Sequence, residues 1–177
     1  MGGERILLLG GARSGKSALA VRWAAALGGP RVSFIATARA IDDEMRQRIA
    51  RHRAQRPPAW ETLEAPRAVA DALLRARHPV VVIDCLTLLV ANALLEEGPT
   101  AVTEEVEALL HALRAGDKTV LLVSNEVGLG IVPDNPLARA YRDMLGWANQ
   151  QMRTVATRTY FLVAGGVLPV VEPPATP

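Results

Sequence analysis

The stretch Gly10-Gly11-Ala12-Arg13-Ser14-Gly15-Lys16-Ser17 fits the pattern G-x4-G-K-[ST] and decides the fold. Before it, Arg5–Leu9 is a short apolar run, the length and flanks of a buried strand. After it, residues 16–27 are rich in Ala and Leu and contain no breaker, so they read as a helix stopped by Gly28, Gly29 and Pro30. Strand, glycine-rich turn and helix in this order make a phosphate loop. The glycines let backbone N–H groups turn inward around phosphate oxygens. Lys16 brings a point charge to the β- and γ-phosphates, and the Ser17 hydroxyl can complete a Mg²⁺ shell. The helix N-terminus faces the same anion.

Outward from the loop, strands and helices alternate. Val32–Ala36 reads as a strand, and Asp42-Asp43-Glu44 opens a helix to about Gln55 with its acids at the positive end of the dipole. A weak strand near Glu61–Leu63 precedes a helix to about Ala76. The β-branched run Val80–Ile83 is a buried strand. Leu86–Leu95 is helical, Glu96–Thr100 reads as a linker, Thr103–Leu113 as a helix, and Thr119–Val123 as a strand. Ser124–Pro136 is a loop and Leu137 to about Thr157 a helix. Arg158–Val163 and Val167–Val171 form a hairpin around Gly165-Gly166, before a frayed tail at 172–177. This alternation implies an α/β fold with a mostly parallel central sheet, helices on both faces and a C-terminal antiparallel hairpin. Ligands of such sheets collect at the carboxyl ends of the strands, so the loops beginning at Gly10, Thr37, Asp84 and Ser124 are where chemistry is expected.

Composition narrows the function. At 177 residues, 50% hydrophobic and 21% charged, the chain reads as one compact domain over 1–177 and not as a disordered one. One cysteine, Cys85, excludes an intramolecular disulfide and a Cys-rich zinc site. A net charge of +2 and 7 aromatics without a stacking stripe argue against a nucleic-acid partner. The apolar run Ile6–Leu9 is too short for a secretory signal, and Val80–Leu95 is too short and too polar to span a bilayer. The expectation is a cytoplasmic protein without membrane insertion.

Three further places carry candidate chemistry. Asp84 ends a strand, where a carboxylate can hold Mg²⁺ or cap the next helix. Asn125 and Glu126 follow another strand end, positioned to face a γ-phosphate or second substrate, or simply to shape the loop. His52 lies late in a helix in which five arginines and no acid occur between Arg46 and Arg56. That run reads either as a solvated helix face complementing the helix C-terminus or as a triphosphate-binding patch with an imidazole able to act as a nucleophile at phosphorus.

Several segments together resemble the bifunctional adenosylcobinamide kinase / adenosylcobinamide-phosphate guanylyltransferase family of cobalamin biosynthesis. They are GGARSGKS, FIATARAIDDEMRQRIARHRAQRP, Trp60–Glu64, VVVIDCLTLLVANAL and VSNEVGLGIVPDNPLARAYRDMLGWANQ, from about Leu8 to Val171. The resemblance implies a RecA-like P-loop fold and a homotrimer. It implies phosphorylation of adenosylcobinamide by ATP or GTP, and then transfer of GMP from GTP to adenosylcobinamide phosphate. It places the covalent GMP on His52, and nucleotide contacts on Gly10–Ser17, Thr37, Ala38, Arg39, Arg53, Ala54, Gln55, Arg56, Glu64 and Asp84; Ser17 and Asp84 are the metal ligands expected from their own chemistry. Other readings of the loop are a RecA-like ATPase that moves a partner, a small-molecule kinase without guanylyl transfer, and a nucleotide-binding regulatory subunit. None of these needs a nucleophilic histidine.

Overall fold

A computed structural model describes residues 2–172. Among the described residues, seven strands form one sheet: β1 (Arg5–Gly10), β2 (Val32–Ala36), β3 (Glu61–Glu64), β4 (Val80–Asp84), β5 (Thr119–Val123), β6 (Arg158–Val163) and β7 (Gly166–Pro169). Their order is β3-β2-β4-β5-β1-β6-β7. All neighbours pair in parallel except β6 and β7. The antiparallel part expected of the hairpin is therefore β7 alone, because β6 joins the sheet parallel to β1.

The two-residue side-chain period of a strand builds two cores from each central strand. Ile6 and Leu8 of β1, Val80 and Val82 of β4, and Leu121 and Val123 of β5 face one core. Leu7, Val81, Ile83, Val120 and Leu122 face the other. The first core is closed by α1 (Lys16–Gly28) through Leu19, Ala20 and Ala24. The second is closed by α3 (Val69–Arg75), α4 (Leu86–Glu97), α5 (Pro99–Ala115) and α6 (Pro136–Arg153). The remaining helix, α2 (Asp43–Ala54), gives none of its described residues to either core. It is started by the Asp42 side chain accepting from the Met45 N–H at 2.7 Å.

Three expectations are corrected. No linker spans Glu96–Thr100: α4 runs to Glu97, α5 begins at Pro99, and Gly98 with φ +87° is the whole break. Glycine takes that φ without strain and proline is preorganised for the first helical position, so one residue replaces five. Next, α6 stops at Arg153 and not near Thr157, where the Thr154 hydroxyl donates back to the Gln151 carbonyl at 2.7 Å. Lastly, the hairpin turn is Ala164-Gly165, since Val163 pairs with Gly166 and both turn residues have positive φ (48° and 79°). This is the backbone that suits a right-handed strand twist. Of the tail, Glu172 pairs with Arg153 at 2.6 Å; the rest of it lies outside the described residues.

Candidate functional site

The sheet order sets the site's frame. β5 lies between β1 and β4. The phosphate loop leaving β1 and Asp84 at the end of β4 are thus two strand spacings apart, about 10 Å, on one carboxyl edge.

The loop is held in shape by close contacts. Gly10 has φ +150°, and a Cβ there would stand 2.3 Å from the Leu162 carbonyl oxygen of β6 and 2.9 Å from Ser14 Oγ. Only glycine fits. Gly15 caps α1 with φ +99°, and the exposed Arg13 has φ +57°. Lys16 is buried, and its ammonium donates to the carbonyls of Gly10 (2.9 Å) and Gly11 (2.6 Å) and to Ser14 Oγ (3.2 Å). Burial holds its pKa below the ordinary lysine value, against the opposing influence of Cys85 and Asp84. Ala12 is exposed and Ser17 is half-buried.

Asp84 is the electrostatic centre. Burial pushes its carboxyl above the ordinary aspartate value, while the Ser17 hydroxyl, His52, Arg56 and Lys16 pull it back down. These four side chains come from α1 and from α2 and its C-terminal turn, so two separate stretches of sequence converge on one carboxylate. His52 is half-buried, not sealed in either core.

Arg56 follows α2 and lies with its guanidinium carbon 3.6 Å from the centroid of the buried Phe34 ring. Its Nε is buried and has no hydrogen-bond partner among the described residues. Arg53 is exposed and stands 3.6 Å from Glu64 at the end of β3. Ala54 and Gln55 are exposed.

Thr37 proves to be a structural clamp. It is fully buried, its N–H donates to the Asp84 carbonyl (3.2 Å), and its hydroxyl both donates to the Cys85 carbonyl (2.8 Å) and accepts from the Cys85 N–H (2.7 Å). Next to it, Ala38 is half-buried, and Arg39 is exposed and ion-paired with Glu96. The Cys85 thiol is pushed up to about 11 by burial and by Asp84, which leaves it protonated and unreactive at neutral pH.

Asn125 and Glu126 are fixed by their backbones. The Asn125 N–H donates to Thr87 Oγ1 at 2.7 Å, and the Glu126 N–H donates to the Gly10 carbonyl at 3.0 Å. The Glu126 carboxylate accepts from the Gly128 N–H in its own loop. Sequence reasoning missed the residues that hold this frame. Asn92 donates to the carbonyls of Thr37 (3.0 Å) and Pro66 (2.9 Å). The buried Asn149 of α6 accepts from Ser124 Oγ (2.6 Å) and donates to the Asn125 carbonyl (3.0 Å). The available signal was a lone polar residue among the apolar ones of a helix face. Among the described residues, no group of three or more His, Cys, Asp and Glu side chains gathers as a cage for a metal ion.

Comparison with known proteins adds the following. Residues 6–170 match the family described as cobinamide kinase / cobinamide phosphate guanyltransferase. The chain is 49% identical over 173 residues to the bifunctional adenosylcobalamin biosynthesis protein CobP of Pseudomonas aeruginosa, covering 96% of this chain and 99% of that one. It is 38% identical to the corresponding CobU protein of Escherichia coli, with 90% and 96% covered. The crystal structure of the flagellar accessory protein FlaH from Methanocaldococcus jannaschii is similar with a TM-score of 0.48 at 15% identity, over 94% of this chain and 75% of that one.

Proposed function

The chain belongs to the cobinamide kinase / cobinamide phosphate guanyltransferase family, and on that premise we propose that one carboxyl-edge site in a single domain over 1–177 runs both reactions, the second through a covalent GMP on His52. The observation that carries this reading is that the phosphate loop, with Lys16 bonded to its Gly10 and Gly11 carbonyls, and Asp84 share one carboxyl edge, where the Ser17 hydroxyl and the charges of His52, Arg56 and Lys16 act on that carboxylate. A phosphate loop and a histidine-bearing helix then face the same bound nucleotide.

In the kinase step, the hydroxyl oxygen of the aminopropanol arm of adenosylcobinamide attacks the γ-phosphorus of ATP or GTP. The new O–P bond forms as the bridge to the β-phosphate breaks, and the hydroxyl proton is lost. Phosphoryl transfer depends mostly on positioning and charge neutralisation. The amides of Gly10–Ser17 and the Lys16 ammonium supply both. Lys16 must leave its carbonyl partners to reach a phosphate, and exchanging neutral acceptors for an anion favours that move.

In the guanylyl step, an imidazole nitrogen of His52 attacks the α-phosphorus of GTP and pyrophosphate leaves. A phosphate oxygen of adenosylcobinamide phosphate then displaces the histidine, giving adenosylcobinamide-GDP and free His52. Two displacements replace one difficult encounter of two polyanions. The position of α2 outside both cores supports a helix that shifts between GTP-free and GTP-bound states. Arg53 and Arg56 would grip the triphosphate during that shift, with Thr37, Ala38, Arg39, Ala54, Gln55 and Glu64 around the nucleotide. Asn125 and Glu126 face the second substrate.

The donor set suits Mg²⁺. Ser17 and Asp84 offer hard oxygen ligands, and this ion is ordinarily held by one or two protein oxygens plus phosphates and water. When bound, it would neutralise charge developing on the phosphate oxygens. The same reading makes the protein a cytoplasmic homotrimer, which sedimentation equilibrium tests. Among the described residues, no helix is long and apolar enough to cross a membrane.

The deciding experiment is intact-mass spectrometry after incubation with GTP. A GMP-sized increment on His52, lost in His52→Ala while phosphorylation of adenosylcobinamide persists, is the expected result. An increment that survives in His52→Ala removes this histidine as the nucleophile.

A further inference from the structure

The segment Ser124–Asn135 between β5 and α6 is anchored at both ends. At its start, the N–H groups of Ser124, Asn125 and Glu126 donate to the Leu8 carbonyl (2.9 Å), Thr87 Oγ1 (2.7 Å) and the Gly10 carbonyl (3.0 Å). At its far end, the Arg139 guanidinium donates to the carbonyls of Pro133 (2.9 Å) and Asp134 (2.6 Å). Between these anchors lies Val127-Gly128-Leu129-Gly130-Ile131-Val132, without a charged or hydrogen-bonding side chain. Leu129 is 83% exposed, Ile131 97% and Val132 61%. Three aliphatic side chains so exposed, on a segment whose first residues bond to the phosphate loop, are a surface made to be covered.

Resting on the function proposed above, we infer that Val127–Val132 is the docking surface for the corrin macrocycle of the substrate, with Leu129, Ile131 and Val132 packing against its methyl-bearing face. The reaction geometry argues for this occupant. The hydroxyl to be phosphorylated ends a short arm attached to the macrocycle, so when that hydroxyl meets the γ-phosphate the ring rests within one arm's length of Gly10–Ser17. The Glu126 N–H bond to Gly10 ties the start of the apolar segment to that loop, with Leu129, Ile131 and Val132 three to six residues further along the chain. A nucleotide needs charge and hydrogen-bond donors, which this segment lacks. The methyl groups of the corrin ring need what it offers. Gly128 and Gly130 let the backbone conform to the ring.

The test compares wild type with the double variant Leu129→Ser/Ile131→Ser. Cobinamide is the probe in equilibrium dialysis, adenosylcobinamide the kinase substrate, and GTP alone the probe of the nucleotide step. Losing two buried aliphatic contacts should weaken cobinamide binding, and raise KM for adenosylcobinamide, by at least about tenfold. KM for the nucleotide, GMP labelling from GTP and the sedimentation coefficient should not change. The conservative variant Leu129→Met/Ile131→Val should restore corrinoid binding. Equal cobinamide affinity in wild type and double variant overturns the inference. So does a double variant that loses affinity together with its oligomeric state, because the segment would then be covered by a second copy of the chain. Wild type that binds cobinamide through this segment without phosphorylating it would refute the catalytic reading alone. Wild type that binds no corrinoid would refute both.

Discussion

Glu61, at the start of β3, offers a stability prediction that can be worked through from the structure. Partial burial of its carboxyl works to raise the pKa. This is outweighed by hydrogen bonds from Ser33 Oγ, the Arg77 backbone N–H and the Arg77 guanidinium, and the charge of Arg77, which together bring it from the ordinary 4.5 down to about 2. The bonds are 2.5, 3.0 and 2.7 Å long. A depressed carboxylate pKa stabilises the folded state above the unfolded pKa, and that stability is lost as pH falls through the folded one. The full linkage value would be about 3 kcal/mol. Arg77 is 76% exposed on its side chain, so solvent screening brings the expected figure to roughly 2 kcal/mol. At pH 3, between the two pKa values, about 40% of the neutral-pH contribution should survive.

The assay is urea unfolding of wild type and Glu61→Gln at several values from pH 7 to pH 3. Glu61→Gln should be less stable by roughly 2 kcal/mol at pH 7 and by less than 1 kcal/mol at pH 3. Activity per folded molecule should be unchanged, because Glu61 sits at the opposite end of the strands from Asp84. A difference that stays constant across this range would show that the ionised form is not what stabilises the fold.

Gly10→Ala sets a Cβ 2.3 Å from the Leu162 carbonyl oxygen and should cost at least about 3 kcal/mol, read as a lowered Tm together with lost nucleotide binding; an unchanged Tm would contradict the close approach of β6. Lys16→Ala should slow both kinase and guanylyl steps by about 100-fold or more, and an unaffected kinase rate would remove the phosphate-loop assignment. Arg56→Lys exchanges the planar group over Phe34 for a point charge, and should raise KM for GTP roughly fivefold with little change in stability. A GTP titration that superimposes on wild type would place Arg56 outside the nucleotide site.

The elements bounded by hard local signals were legible in the sequence. β2 and β5 begin and end where their apolar runs do, and the phosphate loop follows from residue types and spacing alone. Boundaries set by one residue's φ were less visible. The joint between α4 and α5 turns on Gly98, and the hairpin register turns on which two residues take positive φ. The family resemblance puts Thr37 among the nucleotide contacts, but nothing in the sequence shows that its hydroxyl bonds Cys85, 48 positions away. Asn92 and Asn149, whose amides hold the edge of the site, show in the sequence only as lone polar residues among apolar ones, because their partners, mostly backbone carbonyls, belong to remote loops.

By itself, the sequence determined which groups the protein owns: a glycine-turned anion cradle with a lysine and a serine, a strand-end aspartate, and a histidine among arginines. Their chemistry is intrinsic to the side chains and survives any arrangement. Only the tertiary structure decided that they share one edge. Placing β5 between β1 and β4 sets the spacing from cradle to carboxylate, and the turn after α2 brings Arg56 over Phe34. Such proximity depends on strand order and burial, which are properties of the packed sheet and of no single stretch of chain.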